Sequence, residues 1–312
     1  MKTQSMRDAF WDRIYELAQT DRDIVIVSAD LGAPSLDKFK EDMPDQFINV
    51  GIAEQNAILV ASGLALAGKK PLAYAITQFI TLRCYEQIRI YPCGMDLPIS
   101  IVGVGAGSCY WESGPTHQCI EDVSAIRLLP KVDIYNSSDQ VMARDLADIA
   151  VNGKSPKFIR LDRELICDLH ENTINYDDGF DVLTQLGRIN ILATGNMVKL
   201  AKDVSQRIKE ENGITVGVID VFKIPLAQER LIALLKTTSR IITLEEHVLS
   251  GGMGSYILEM LSDAEIDVKI KRLGYDTRNG YSKFYNYGGR EAIRGEFGID
   301  LESVTTRVKM YI

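Results

Sequence analysis

Phe47-Ile48-Asn49-Val50-Gly51-Ile52-Ala53-Glu54-Gln55-Asn56 is the stretch on which the reading of this chain turns: an apolar strand runs into a glycine turn, then a carboxylate at the mouth of a helix. From Asn56 to Gly68 the helix that follows is apolar on nearly every face, which predicts burial in a large core or an interface. Glu54 is therefore expected close to water-poor surroundings. There the charged form of a carboxylate is disfavoured unless something pairs with it, and a poised proton donor is one outcome. A first-turn carboxylate favoured by the helix dipole is the other.

Upstream, Met6, Phe10, Ile14 and Leu17 recur at helical spacing and lead to the apolar strand Ile24 to Val27, with Ser28 to Leu31 at its carboxyl end. Downstream, Pro71 to Ala75 reads as a strand, Phe79 opens a helix, and Pro98 to Gly105 is an unbroken buried strand. The polar loop Ala106 to His117 follows its carboxyl end, the position at which open α/β sheets bind ligands. Strands at Val132 to Tyr135 and Phe158 to Leu161, with a helix from Asp139 to Val151 between them, complete a first sheet. Apolar runs without alternation, separated by helices, predict a parallel sheet covered on both faces.

The pattern lapses into a polar connection from Asp162 to Gly187, and a smaller α/β unit follows. Its strands are expected at Arg188 to Ala193, Ile214 to Asp220, Arg240 to Leu244 and Asp267 to Leu273. Its helices are expected near Met197 to Glu210, Gln228 to Leu235 and Gly252 to Leu261. The fold class is thus α/β with two doubly wound domains, residues 1–170 and 171–312.

With 312 residues, 46% of them apolar, the chain can build two sizeable cores. A formal charge of −8 and a pI near 5.1 argue against a nucleic-acid or anionic-membrane surface. Cys84, Cys93, Cys109, Cys119 and Cys167 show no CxxC spacing, and the start lacks an apolar signal region, so a reducing cytoplasm is the expected compartment. The longest apolar run, Ala57 to Ala67, is broken by Ser62 and Gly63 and is too short to span a bilayer.

A second segment, Gly114-Pro115-Thr116-His117-Gln118, lies downstream of the first, after a strand and an aromatic-containing helix. The pair resembles the pyrimidine-binding segment and the Gly-Pro-Thr-His-Gln signature of the transketolase group of thiamine-diphosphate enzymes. The resemblance runs over nearly the whole chain, including Leu244 to His247 and Gly251 to Gly254. It matches the second and third domains of a transketolase, a pyrimidine-binding domain and a C-terminal domain, and leaves out the first.

The resemblance implies roles for particular residues. Glu54 matches the glutamate that promotes the imino form of the cofactor's aminopyrimidine, the internal base that deprotonates the thiazolium carbon. Phe79 matches the aromatic ring packed on the pyrimidine, with Tyr85 a looser candidate, and Asp30 lines up with an aspartate near the thiazolium ring. Ile76 and Leu82 stand where transketolases have aromatics, so the pocket wall is expected to be less aromatic. Arg7 and Arg160 match arginines that grip the substrate phosphate, and Ser35 and His117 match hydroxyl and imidazole groups that contact sugar oxygens. Ser113 replaces the aspartate that reads the ketose hydroxyl configuration, which opens the choice of substrate. Cys119, where the family often has proline, is expected to be an inert buried thiol, and His170 and His247 to be structural.

No Gly-Asp-Gly followed by an asparagine occurs, and with that motif the family holds magnesium and diphosphate. The implied protein is the C-terminal subunit of a split transketolase acting on sugar phosphates. Its partner would be an N-terminal subunit holding most of the Mg2+ and diphosphate contacts, in an α2β2 heterotetramer. The buried character of the helix after Glu54 agrees with such an interface. Alternative readings are the β subunit of a 2-oxo acid dehydrogenase, a carboligase of specialised sugar biosynthesis, and a non-catalytic scaffold subunit.

Overall fold

The computed structural model describes residues 4–170 and 173–312. The chain opens with the helix Met6–Ala18, whose N-cap Ser5 accepts a hydrogen bond from the Asp8 N–H at 3.2 Å. Its apolar face buries Met6, Phe10, Trp11 and Ile14.

Twelve strands follow: β1 (Ile24–Ser28), β2 (Phe47–Asn49), β3 (Lys70–Ile76), β4 (Ser100–Val104), β5 (Asp133–Asn136), β6 (Lys157–Leu161), β7 (Phe180–Val182), β8 (Ile189–Ala193), β9 (Val216–Val221), β10 (Lys223–Ile224), β11 (Arg240–Val248) and β12 (Lys269–Tyr275). They form a seven-stranded sheet ordered β10-β5-β6-β4-β3-β1-β2 and a five-stranded sheet ordered β12-β11-β8-β9-β7. Strands β1 to β6 pair in parallel, and β1, β4 and β6 are buried at every position, as unalternating apolar runs require. Two short strands escaped the sequence reading. β7 lies in the stretch read as a connection and pairs antiparallel with β9. β10, though late in the chain, crosses to the first sheet and pairs antiparallel with β5, Lys223 opposite Tyr135 and Ile224 opposite Ile134.

The helix after the glycine turn spans Glu54–Leu66, and one face of it, Ala57, Ile58, Ala61, Ser62 and Ala65, is buried. The opposite face is not covered by this chain: Leu59 and Leu66 are exposed, as is Ile52 just before the helix. The adjoining turn Arg89–Cys93 and its continuation add exposed Ile90, Tyr91 and Met95. The all-round apolar pattern therefore reflects one face in the core and one face on the surface. The segment carrying Phe79 is less regular than a single helix. It runs as a helical turn Thr77–Thr81, a 3₁₀ turn Leu82–Cys84, a helical turn Tyr85–Ile88 and a wide turn Arg89–Cys93 containing Pro92. Among the described residues no helix is long and apolar enough to cross a membrane.

The two sheets meet at a buried charge cluster. β11 continues past Leu244 and carries Glu245, Glu246 and His247 into the junction, each almost without exposure. Glu246 is paired with Arg290 and Arg294 and accepts hydrogen bonds from Ser108 at 2.8 Å, Asn196 at 2.7 Å and Tyr275 at 3.1 Å. Burial opposes its charge, but the two arginines outweigh that and hold Glu246 well below the usual carboxylate range. Glu245 accepts from the N–H groups of Met253 and Gly254 at 2.7 and 2.8 Å, so it caps the helix Met253–Asp263. A side chain on Gly252 would stand 2.3 Å from a Glu245 oxygen, and this explains the glycine there. Burial pushes the Glu245 carboxyl up to about 7 and the His247 imidazole down to about 4.

Candidate active site

The carboxyl ends of β1, β2, β3 and β4 lie along one edge of the first sheet, and the loops after them carry most of the residues singled out from the sequence. After β2 the chain turns at Gly51, whose φ of +73° suits glycine, and Glu54 begins the next helix. Glu54 is 3% exposed, and its Oε2 accepts a hydrogen bond from Arg83 Nη1 at 2.7 Å. Its other oxygen has no hydrogen-bond partner among the described residues. The Arg83 guanidinium lies 4.2 Å above the Phe79 ring, and Phe79 meets the His117 imidazole edge-on at 5.0 Å. Tyr110 stands 6.4 Å beyond His117, whose Nδ1 lies 2.9 Å from the Thr116 hydroxyl oxygen. Glu54, Arg83, Phe79, His117 and Tyr110 thus form a continuous row.

Asp30 occupies the left-handed region at φ +56° and exchanges two 3.2 Å hydrogen bonds with the Asn49 side chain across the ends of β1 and β2. Ser113 ends a 3₁₀ turn, Trp111–Ser113, just before Gly114; it is exposed, and its hydroxyl makes no hydrogen bond among the described residues. Arg7 pairs with Asp8 at 2.9 Å. Ser35 donates its hydroxyl proton to Asp12 of the first helix, and Tyr85 packs half-buried on the core, outside the row.

Arg160 differs from the expectation. It is 4% exposed, its Nε donates to Asp122 at 2.6 Å, and its Nη2 donates to the same carboxylate and to the carbonyls of Cys119 and Glu246 at 3.3, 3.3 and 3.5 Å. Every position of β6 is covered, so a side chain on it is directed inward, and the guanidinium is consumed in the junction rather than offered to a substrate phosphate. Three residues on, Arg163 lies in the loop beyond β6, stacks 4.5 Å above Tyr110 and pairs with Glu112. The sequence reading missed Arg163 and Arg83; for Arg163 the signal was its place just past a strand end, at the ligand-binding edge.

Cys119 is fully buried beside Thr81, and burial pushes its thiol well above the usual range. His170 lies between Asp181 at 2.8 Å and Asp220 at 3.1 Å. Burial alone would lower its pKa, but the two carboxylates raise it to about 10. Among the described residues no three His, Cys, Asp or Glu side chains are grouped so as to hold a metal ion.

Comparison with known proteins extends these observations. Residues 2–168 match the family model for the transketolase pyrimidine binding domain, and residues 180–300 match the model for the transketolase C-terminal domain. One of the subunits of apulose-4-phosphate transketolase from Phocaeicola vulgatus is 31% identical over 96% of this chain and 94% of its own length. 1-Deoxy-D-xylulose-5-phosphate synthase of Caldanaerobacter subterraneus is 30% identical over 97% of this chain, which spans only 48% of that protein. A solved structure described as a split gene transketolase, inactive beta4 tetramer, superposes with a TM-score of 0.85 at 30% identity, covering 98% of both chains.

Proposed function

Because the chain belongs to the transketolase family, we propose that it is the C-terminal subunit of a two-subunit, thiamine-diphosphate-dependent transketolase that moves a ketol unit between sugar phosphates. The observation that carries this reading is the buried Glu54 carboxylate set beside the Phe79 ring at the ligand-binding edge. The residues fit an aminopyrimidine: a carboxylate oxygen is unused, and an aromatic face lies within reach of the same guanidinium that touches the carboxylate.

Thiamine diphosphate, when bound, supplies the nucleophilic carbon for ketol transfer. Glu54 would hold a proton at the pyrimidine N1′, in surroundings dry enough to strengthen that hydrogen bond. Phe79 would fix the ring plane, and His117 on its edge would donate a hydrogen bond to a sugar oxygen. Arg7 and Arg163 would hold the phosphate at the far end of the sugar. Asp30 sits at the carboxyl end of β1 where the thiazolium side is expected. Magnesium and the diphosphate are assigned mainly to an N-terminal partner subunit in an α2β2 assembly, and the compartment to the cytoplasm. The uncovered apolar face of Glu54–Leu66 supports a protein partner, and the description of a solved relative as an inactive tetramer supports dependence on a second kind of subunit.

Ser113 favours a donor other than the common xylulose type, and apulose 4-phosphate, for which one relative is named, is a candidate to set beside xylulose 5-phosphate. The test is reconstitution. The chain alone should neither bind thiamine diphosphate tightly nor turn over sugar phosphates, and adding the partner should restore both. Robust ketol transfer by the chain alone would overturn the two-subunit reading.

A further inference from the structure

Arg83 contacts the two groups that the aminopyrimidine would need. Its Nη1 donates to Glu54 Oε2 at 2.7 Å, and its guanidinium carbon lies 4.2 Å from the centre of the Phe79 ring. A guanidinium is a flat donor of about the shape needed to stack on an aromatic face while bonding a carboxylate edge-on. An aminopyrimidine has the same two features. We infer that Arg83 is a displaceable placeholder, occupying in the free chain the carboxylate of Glu54 and the face of Phe79 and leaving both when the cofactor enters. This rests on the functional reading above.

Two further observations separate this arginine from a structural ion pair. Its side chain is 44% exposed, whereas those of Arg160 and Arg294 in the junction are 4% and 6% exposed, so its own charge can swing into water once another donor takes its place on Glu54. Its backbone, by contrast, is pinned: Gln55, next to Glu54, donates from Nε2 to the Arg83 carbonyl at 3.0 Å, and the residue sits in the 3₁₀ turn that interrupts its helical segment. Movement is thereby confined to the side chain. The placeholder gives the buried Glu54 carboxylate a counter-ion until the cofactor enters, and it makes the competent arrangement a minor state of the cofactor-free protein. A site competent one part in ten of the time binds about tenfold more weakly than its intrinsic affinity allows.

The experiment is a titration of thiamine diphosphate into the complex of the full chain with its N-terminal partner in Mg2+, followed by calorimetry and by quenching of intrinsic fluorescence. The parent is compared with Arg83→Met, which keeps the stem without charge or plane, and with Arg83→Lys, which can reach Glu54 but cannot stack flat. Arg83→Met is expected to bind the cofactor about threefold to tenfold more tightly, with Arg83→Lys between it and the parent. Arg83→Met leaves the buried Glu54 carboxylate without its counter-ion in the free chain, so its thermal midpoint is expected to fall by several degrees, whereas that of Arg83→Lys should stay close to the parent's. If the parent binds and Arg83→Met binds equally or more weakly, the inference is overturned alone. If the parent complex binds no cofactor, the functional reading falls and this inference with it.

Discussion

The junction between the two sheets and the edge row from Glu54 to Tyr110 contain the same residue types in opposite states. In the junction, the Glu246 carboxylate has two arginine partners and three neutral donors, and Arg160 spends its donors on Asp122 and backbone carbonyls. In the edge row, among the described residues, Glu54 keeps one oxygen without a partner and Ser113 keeps its hydroxyl, and the arginines at Glu54 and Tyr110 reach solvent. A charge whose bonds are all made inside the chain contributes to one rigid arrangement. One left with spare bonds at an exposed edge can exchange partners, as a reaction cycle requires. Burial of charge alone does not identify a site, since both regions contain buried carboxylates.

The contrast can be broken most sharply at Glu54. Glu54→Gln retains shape and a hydrogen bond to Arg83 but cannot hold an acidic proton, so turnover of the reconstituted complex should fall by roughly 10²- to 10⁴-fold. The thermal midpoint should hardly move, and turnover within about threefold of the parent would reduce Glu54 to a helix-start carboxylate.

Glu246→Gln should do the reverse. Leaving Arg290 and Arg294 without their shared counter-ion is expected to cost about 3–5 kcal/mol and to lower the midpoint by roughly 10 °C. An unchanged melting curve would mean that the junction charges are not what hold the sheets together.

Ser113→Asp is a smaller change. Restoring a charge-assisted hydrogen bond to a ketose hydroxyl is worth on the order of 2 kcal/mol, or about thirtyfold in selectivity. It should shift kcat/KM toward xylulose 5-phosphate and away from its C3 epimer. A parent that already prefers xylulose 5-phosphate strongly, unaltered by aspartate, would remove Ser113 from substrate recognition.

The remaining test concerns His170. Its folded pKa of about 10 lies above the ordinary histidine value, so its stabilising contribution is complete below about pH 6.5 and is lost as pH rises toward 10. The parent should lose thermal stability between pH 7 and 10 more steeply than His170→Gln. Parallel profiles over that window would show that His170 is not the group that titrates.

The parallel first sheet and the order of elements were legible because β1, β4 and β6 are buried along their whole length and are mostly apolar without alternation. The same uniformity hid the direction of Arg160: a strand without alternation gives no clue to the face on which an inserted arginine lies, and only packing against Asp122 decides it. β10 has two residues, too few for any period. Glu54 stands at the start of its helix, where position in the chain fixes position at the edge, whereas Phe79, in the middle of the turn Thr77–Thr81, was singled out by the family resemblance alone. Arg83 was not, because its meeting with Glu54 depends on the irregular winding of residues 77–93, which carries no repeat.

The crossing of β10 bears on how the chain can be taken apart. A gene cut near residue 170 would yield two fragments whose sequences look self-sufficient, yet the first would lack the segment that hydrogen-bonds to Ile134 and Tyr135 at the rim of its sheet. That rim would then present open amide and carbonyl groups, a template for pairing with other copies. Recombinant halves are expected to precipitate or associate through β5, and limited digestion in the 162–179 connection should leave the nicked pieces travelling together on a sizing column.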